Sequence, residues 1–137
     1  MTLERINPPE LARPSGFAHA VRARGTVTVH LAGQTAMDAE GRIVGGGVVA
    51  QFEQALTNLL TALRAAGGGP EHLASLTIYI VDVEDYRAHA REIGQVWRRL
   101  AGTDYPATAG IGVARLWDAD AVVELQGVAV LPQEQVR

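Results

Sequence analysis

Between Val48 and Ala66 the apolar residues Val48, Phe52, Ala55, Leu56, Leu59, Leu60 and Leu63 recur at three- and four-residue steps, separated by Gln51, Glu53, Gln54, Thr57, Asn58 and Thr61. That spacing gathers the apolar side chains on one stripe of an amphipathic helix. Gly67-Gly68-Gly69-Pro70 ends it, because glycine accepts a left-handed cap and proline cannot continue the hydrogen-bond ladder. Leu73 to Val81 reads as a strand. Asp82 then caps a second helix with Asp85 in its first turn and a stripe of Tyr86, Ala90, Ile93, Trp97 and Leu100. Gly94 lies inside that helix, where it costs about 1 kcal/mol relative to alanine. Arg87, Arg91, Glu92, Arg98 and Arg99 make up a face that reads as solvated surface.

Both ends of the chain carry β-like runs. Ala18–Ala23 and Thr26–Leu31 flank Arg24-Gly25, which predicts a first hairpin with a tight turn and sets His19 opposite His30. A cross-strand histidine pair with no carboxylate or cysteine nearby makes a poor metal site, so the expectation is no bound metal and two ordinary strand histidines. In the last third, Tyr105–Leu116 and Ala121–Leu131 enclose a short polar turn, Trp117-Asp118-Ala119-Asp120, and predict a long antiparallel hairpin. A turn centred near Asp118 and Ala119 would pair Thr108 near Ala129, roughly 16 Å along the strand from Glu124.

A side-chain period of two places Ala121, Val123, Leu125, Gly127, Ala129 and Leu131 on one face of the last strand and Val122, Glu124, Gln126, Val128 and Val130 on the other. Glu124 among valines must find a partner or water, which makes it the acid of greatest chemical interest. Thr108, Gly110, Gly112 and Ala114 leave one face of the preceding strand nearly bare, open to close approach by a ligand or another chain. The order is strand, strand, helix, strand, helix, strand, strand: an α+β sandwich with two helices on one face of a mixed sheet. Two helices cover one face only. The aliphatics on the other predict burial against further copies of the chain.

Composition narrows the function classes. With 137 residues, 47% of them hydrophobic, the chain fits one domain spanning 1–137. No stretch is long and apolar enough to span a bilayer and the first residues lack a secretory pattern, so a cytoplasmic protein with no membrane partner is expected. The absence of cysteine removes disulfides, thiolate nucleophiles and cysteine zinc sites. A formal charge of −3 without a basic run argues against a nucleic-acid partner. Gly45-Gly46-Gly47 is not followed by the Gly-Lys-Ser/Thr of a nucleotide loop, so this glycine run and Asp38–Gly41 read as a mobile rim.

The run Pro106-Ala107-Thr108, then Gly112-Val113-Ala114-Arg115-Leu116, then Val123-Glu124-Leu125-Gln126-Gly127-Val128-Ala129-Val130 resembles the end of the Rid family, also called the YjgF family. Gly16-Phe17-Ala18-His19-Ala20-Val21, Leu31-Ala32-Gly33-Gln34-Thr35, Gln54-Ala55-Leu56 with Asn58-Leu59, and Val81-Asp82 with Asp85-Tyr86 follow in the family's order, so the likeness covers nearly the whole chain. It implies a chorismate-mutase-like β-β-α-β-α-β-β fold, a homotrimer with small-molecule clefts between subunits, and cofactor-free hydrolysis of reactive imines and enamines. It also implies Glu124 as the catalytic carboxylate and Phe17, Gly33, Thr108 and Gly110 as substrate-binding positions. In the deaminases an arginine directly after Pro-Ala clamps the substrate carboxylate. Thr108 stands there in this chain, Gly110 stands where cysteine is frequent, and Phe17 where tyrosine is common. An uncharged hydroxyl cannot replace a bidentate guanidinium. The expectation is therefore a Rid-fold hydrolase of a differently anchored small molecule, with a non-catalytic metabolite-binding module as the alternative. A ribonuclease or translation inhibitor is the remaining reading.

Overall fold

The structure, a computed structural model, describes residues 3–133. Its main sheet has four strands in the order β3-β6-β4-β5: β3 (Val27–Gln34), β4 (Leu73–Ile80), β5 (Ala107–Gly112) and β6 (Val123–Leu131). β6 is antiparallel to both β3 and β4, whereas β4 and β5 are parallel. One face of this mixed sheet is covered by α1 (Gly47–Ala65) and α3 (Ala90–Ala101), as the α+β reading requires.

Seven apolar positions that define the α1 stripe, Val48, Phe52, Ala55, Leu56, Leu59, Leu60 and Leu63, are all buried. They meet Leu31, Leu73, Leu76, Ile78, Val123, Leu125 and Leu131 from the sheet. The helix stops in a Schellman arrangement, with Gly67 N–H donating to the Arg64 carbonyl at 3.0 Å and Gly68 N–H to Leu63 at 3.0 Å. Gly67 takes φ +93°, a region that side chains disfavour, which is why this stop needs glycine. Not every polar residue of α1 is solvated. Gln51 is buried and clamps the β5–β6 connection, donating to the Asp120 carbonyl at 3.0 Å and accepting from Val122 N–H at 2.9 Å. Asn58 similarly donates to the carbonyls of Thr35 and Met37.

Both expected hairpins are replaced by longer-range pairing. β5 and β6 are not neighbours, because β4 lies between them. The connection passes over the end of β4, where Val113 N–H donates to Ile80 and Val81 N–H to Val122. β4 presents Leu76, Ile78 and Ile80 to the core and gains a ladder on both sides. The glycine-rich β5 is left at the edge, where a strand with few side chains to pack costs least. Thr108 accordingly stands level with Leu76, not Ala129.

At the other end, β2 (Ala20–Ala23) pairs with β1 (Leu3–Ile6), a strand the periodicity does not reveal, and β3 pairs with β6. His19 and His30 are therefore not opposite each other. His30 faces Val128, while His19 N–H donates to Asn7 Oδ1 and its Nε2 lies 2.7 Å from the Ala12 carbonyl oxygen. The second predicted helix is two: α2 (Val83–Ala88) and α3 meet at His89, whose φ of −110° breaks the helical path. Asp82 caps α2 by accepting from Asp85 N–H at 3.0 Å. The buried α3 stripe is Ile93, Val96, Trp97 and Ala101, and Ala90 is exposed. The Asp38–Gly41 loop is tied down, because Asp38 Oδ1 accepts from the amides of Glu40 and Arg42. No helix among the described residues is long and apolar enough to cross a membrane.

Candidate functional site

The alternation of β6 turns Val123, Leu125, Gly127, Ala129 and Leu131 into the core and leaves Glu124, Gln126, Val128 and Val130 on the uncovered face. Glu124 stands level with Tyr79 of β4, whose hydroxyl donates to Gln126 Oε1 at 2.9 Å. On its other side β3 is irregular. The register with β6 shifts between Leu31 and Gln34, so β3 carries one more residue than the strand opposite, a bulge that re-aims the local backbone. Gly33 lies in that bulge, and the Glu124 carboxylate occupies the space that a β-carbon on Gly33 would take. Among the described residues no hydrogen bond reaches this half-buried carboxylate, which leaves its lone pairs to water or a ligand.

Thr108 belongs to a different surface. It is in register with Leu76, and with Gly110 and Gly112 beside Ile78 and Ile80 it faces the helix side of the sheet. Its Oγ1 donates to the carbonyl of Pro106 at 2.9 Å, so the hydroxyl proton is engaged locally. Phe17 comes close because Ala18 bridges to Ala107 and donates its N–H to Pro106, laying the N-terminal segment along the start of β5. The Phe17 ring meets His19 edge-on, with centroids 5.2 Å apart. Phe17 and Thr108 together line an open cleft of about 420 Å³ at this edge. A β-carbon on Gly110 would touch Ile80 at 3.7 Å.

The sequence-identified residues thus form two groups. Gly33 is brought to Glu124, and Phe17 to Thr108. The pairs are separated by three residues along the strands, two inter-strand spacings, and the thickness of the sheet itself, an in-plane distance of roughly 14 Å.

A second cavity, of about 460 Å³, opens on the helix side between α3 and the β4–β5 edge and shares Thr108 with the first. Its walls include Trp97, which stacks on Tyr105 with centroids 6.3 Å apart, and Tyr86, whose phenol burial pushes up to about 12 and so keeps it neutral. Arg91 and Arg98 also line it, and both are exposed, as the charge pattern of α3 reads them. Gly94 lies beside Arg98 on the same helix. A mid-helix glycine that weakens its own helix calls for a packing reason, and here it leaves room for the Arg98 head group. No group of three or more His, Cys, Asp or Glu residues able to hold a metal occurs among the described residues.

Comparison with known proteins adds a family to this geometry. The family model described as endoribonuclease L-PSP matches residues 9–131. A RutC family protein of Synechocystis is 36% identical over 135 residues, covering 96% of this chain and 99% of that protein. A goat 2-iminobutanoate/2-iminopropanoate deaminase is 35% identical over 104 residues, covering 75% of this chain and 72% of the goat protein. A Yersinia pestis structure described as a Rid family protein of unknown function superposes with a TM-score of 0.85 at 36% identity, covering 96% of this chain and all of that one. With its mixed sheet, its two main helices on one face and a family match that runs from residue 9 to residue 131, the chain belongs to the Rid family.

Proposed function

We propose that this protein is a cofactor-independent hydrolase of a small imine- or enamine-type metabolite, acting in clefts between the subunits of a homotrimer. The observation that carries this reading is the Glu124 carboxylate, held against Gly33 on an uncovered sheet face with no hydrogen-bond partner among the described residues. A carboxylate so placed can accept a proton from water as the oxygen attacks the carbon of a C=N bond. That proton passes to the nitrogen to give the carbinolamine, and the new hydroxyl then gives up its proton to the amine as the C=O bond forms and the C–N bond breaks, so that ammonia and a carbonyl compound leave. The balance is imine plus water to carbonyl plus ammonia, and no redox partner is needed.

Two features support a cleft completed by a second subunit. Glu124 and Thr108 lie on opposite faces of one sheet, so a ligand touching both groups must do so across two chains. Val128 and Val130 are half-buried aliphatics on the face that no helix covers, which further copies of the chain would bury. The relative with a deaminase name acts on 2-iminobutanoate and 2-iminopropanoate. Thr108 distinguishes the chemistry proposed here, because its hydroxyl bonds its own neighbour and offers a carboxylate no fork.

The test generates candidate imines in situ and follows ammonia and carbonyl release by the wild type and by Glu124→Gln, which keeps the shape and removes the base. Loss of turnover with ligand binding retained is the expected result. Full activity in Glu124→Gln would remove this residue from the chemistry. A metabolite-binding module is the second reading, favoured by the locally engaged Thr108 hydroxyl and the featureless Gly110. Saturable binding of a metabolite without turnover would establish it.

A further inference from the structure

β3 meets β6 in two registers. Up to Leu31, which pairs with Gly127, the strands run in one register, and at Gln34, which pairs with Leu125, they resume in another, with Ala32 and Gly33 set against Gln126 alone. The alternative is a straight strand. It would carry the first register onward and set Gln34 opposite Glu124, with its side chain beside the carboxylate on the uncovered face. In the observed register Gln34 is level with Leu125 on the helix side, and the carboxylate meets Gly33 instead. The side chains of Ala32 and Gly33 cannot enforce the bulge, since one is a methyl group and the other is bare, and strands poor in side chains are prone to slip.

What holds the bulge lies on α1. Asn58 Nδ2 donates to the Thr35 carbonyl at 3.1 Å and to the Met37 carbonyl at 2.8 Å. Both amide hydrogens are thereby used, and Oδ1 accepts from Gln54 Nε2, one turn earlier, at 2.9 Å, so a single orientation of the head group satisfies all three bonds. The carbonyl between them, that of Ala36, accepts from Val44 N–H at 2.8 Å. Three consecutive carbonyls are thus bound directly after the strand, two of them by one helix side chain. Removing the bulge would draw this segment along by one residue, about 3.4 Å, too far for either Asn58 hydrogen bond to survive. The helix does not follow, because Ala55, Leu56 and Leu59 around Asn58 are buried in the core.

We propose that Asn58 is a positioning residue for Glu124: by pinning the residues after the bulge it holds Gly33, and not Gln34, against the carboxylate. A carboxylate that meets glycine keeps its lone pairs for water. The same carboxylate beside a glutamine amide would accept a hydrogen bond from within the chain, in competition with the attacking water. The proposal rests on Glu124 as the base of the hydrolysis proposed above and adds what keeps that base free.

The chain has no cysteine, so its register can be read by crosslinking. Gln34→Cys with Glu124→Cys is oxidised in the otherwise native chain and in Asn58→Ala, and the intramolecular disulfide is quantified. Directly opposed residues have the short Cα separation that a disulfide needs, so the yield should be low in the first and about fivefold higher or more in the second. Leu63→Ala opens a cavity near the far end of α1, lowers stability and should leave the yield unchanged. Should Asn58→Ala fold poorly, Gln54→Ala, which frees the Asn58 head group, should give a smaller rise. With Gln34 and Glu124 intact, Asn58→Ala should lower kcat for imine hydrolysis about tenfold or more while KM stays within about twofold, and Asn58→Gln, which keeps both donors, should recover part of the loss. A yield in Asn58→Ala and Gln54→Ala no higher than in the native background, an equal rise in Leu63→Ala, or a loss carried by KM alone would overturn the proposal. The crosslink needs no activity. If no imine is turned over, the hydrolase reading fails and the disulfide yield still decides the role of Asn58; if Glu124→Gln abolishes turnover and the disulfide yield never rises, the base stands and Asn58 does not position it.

Discussion

Glu124 Oε2 lies in the space that a side chain on Gly33 would need, so the orientation of the carboxylate depends on the absence of one atom in the facing strand. Gly33→Ala forces a choice between moving the acid and moving the bulge. Overpacking of this kind costs about 1 to 3 kcal/mol. The expected outcome is a lower melting temperature together with loss of any Glu124-dependent activity. Truncation of the acid in the double variant Gly33→Ala/Glu124→Ala should restore stability and leave activity absent, a coupling that a double-mutant cycle measures.

Thr108→Arg is expected to increase hydrolysis of a short imino acid such as 2-iminopropanoate. A charge-assisted bidentate pair is worth about 1.5 to 3 kcal/mol, or roughly ten- to a hundredfold in rate or affinity. The gain should be partial, because Phe17 offers an aromatic wall without a hydroxyl. Wild-type rates already equal to those of an arginine-bearing relative would show that Thr108 is no obstacle.

Val128 faces the uncovered side of the sheet opposite His30. If further copies cover this face, Val128→Asp buries an unpaired charge in the assembly and should dissociate it or lower its stability sharply. Sedimentation of the native protein at micromolar concentration should give three times the chain mass. A monomer would end the trimer proposal.

Gln51 joins α1 to the β5–β6 connection through two hydrogen bonds at 3.0 and 2.9 Å. Gln51→Leu keeps much of the volume and leaves the Val122 amide and the Asp120 carbonyl without their partner. A loss of about 2 to 6 kcal/mol in denaturant unfolding is expected, from about 1 to 3 kcal/mol for each unsatisfied group.

His89 sits at the break between α2 and α3, with Nδ1 2.8 Å from the Asp85 carbonyl oxygen. That hydrogen bond first, and the Asp85 and Glu92 charges after it, raise the imidazole above its ordinary 6.5. The protonated ring therefore favours the folded chain. Its contribution is complete below pH 6.5 and is lost as pH rises through the elevated folded value. The melting difference between wild type and His89→Gln should accordingly be largest in acid and shrink towards neutral pH and above. NMR titration of the ring checks the direction.

Local periodicity made α1 legible almost residue by residue, because one stripe meets one sheet face. The same rule identified which side of β6 carries Glu124. Strand order was hidden, since Tyr105–Leu116 and Ala121–Leu131 have the pattern and the polar turn of a hairpin, and nothing local shows that Leu73–Ile80 inserts between them. The opposed faces of Thr108 and Glu124 follow from that parallel pairing and were hidden with it. β1 is four residues long without alternation, too short to stand out. The charge pattern of the second helical region was legible too, since Arg87, Arg91, Glu92, Arg98 and Arg99 are all exposed.

The insertion of β4 between β5 and β6 also bears on how the polypeptide acquires its structure during synthesis. β6, the last of these four strands to leave the ribosome, is an interior strand with a ladder on each side, so β3 and β4 wait without a shared neighbour until residues 123–131 emerge. Both pairings close over long stretches of sequence, from Val27 to Leu131 and from Leu73 to Ala129 at their widest, and such non-local closures make folding slow and its intermediates prone to association. Nascent chains arrested before residue 123 should therefore expose the aliphatic edges of β3 and β4 and depend on chaperones, and removal of β6 should abolish the sheet instead of trimming it.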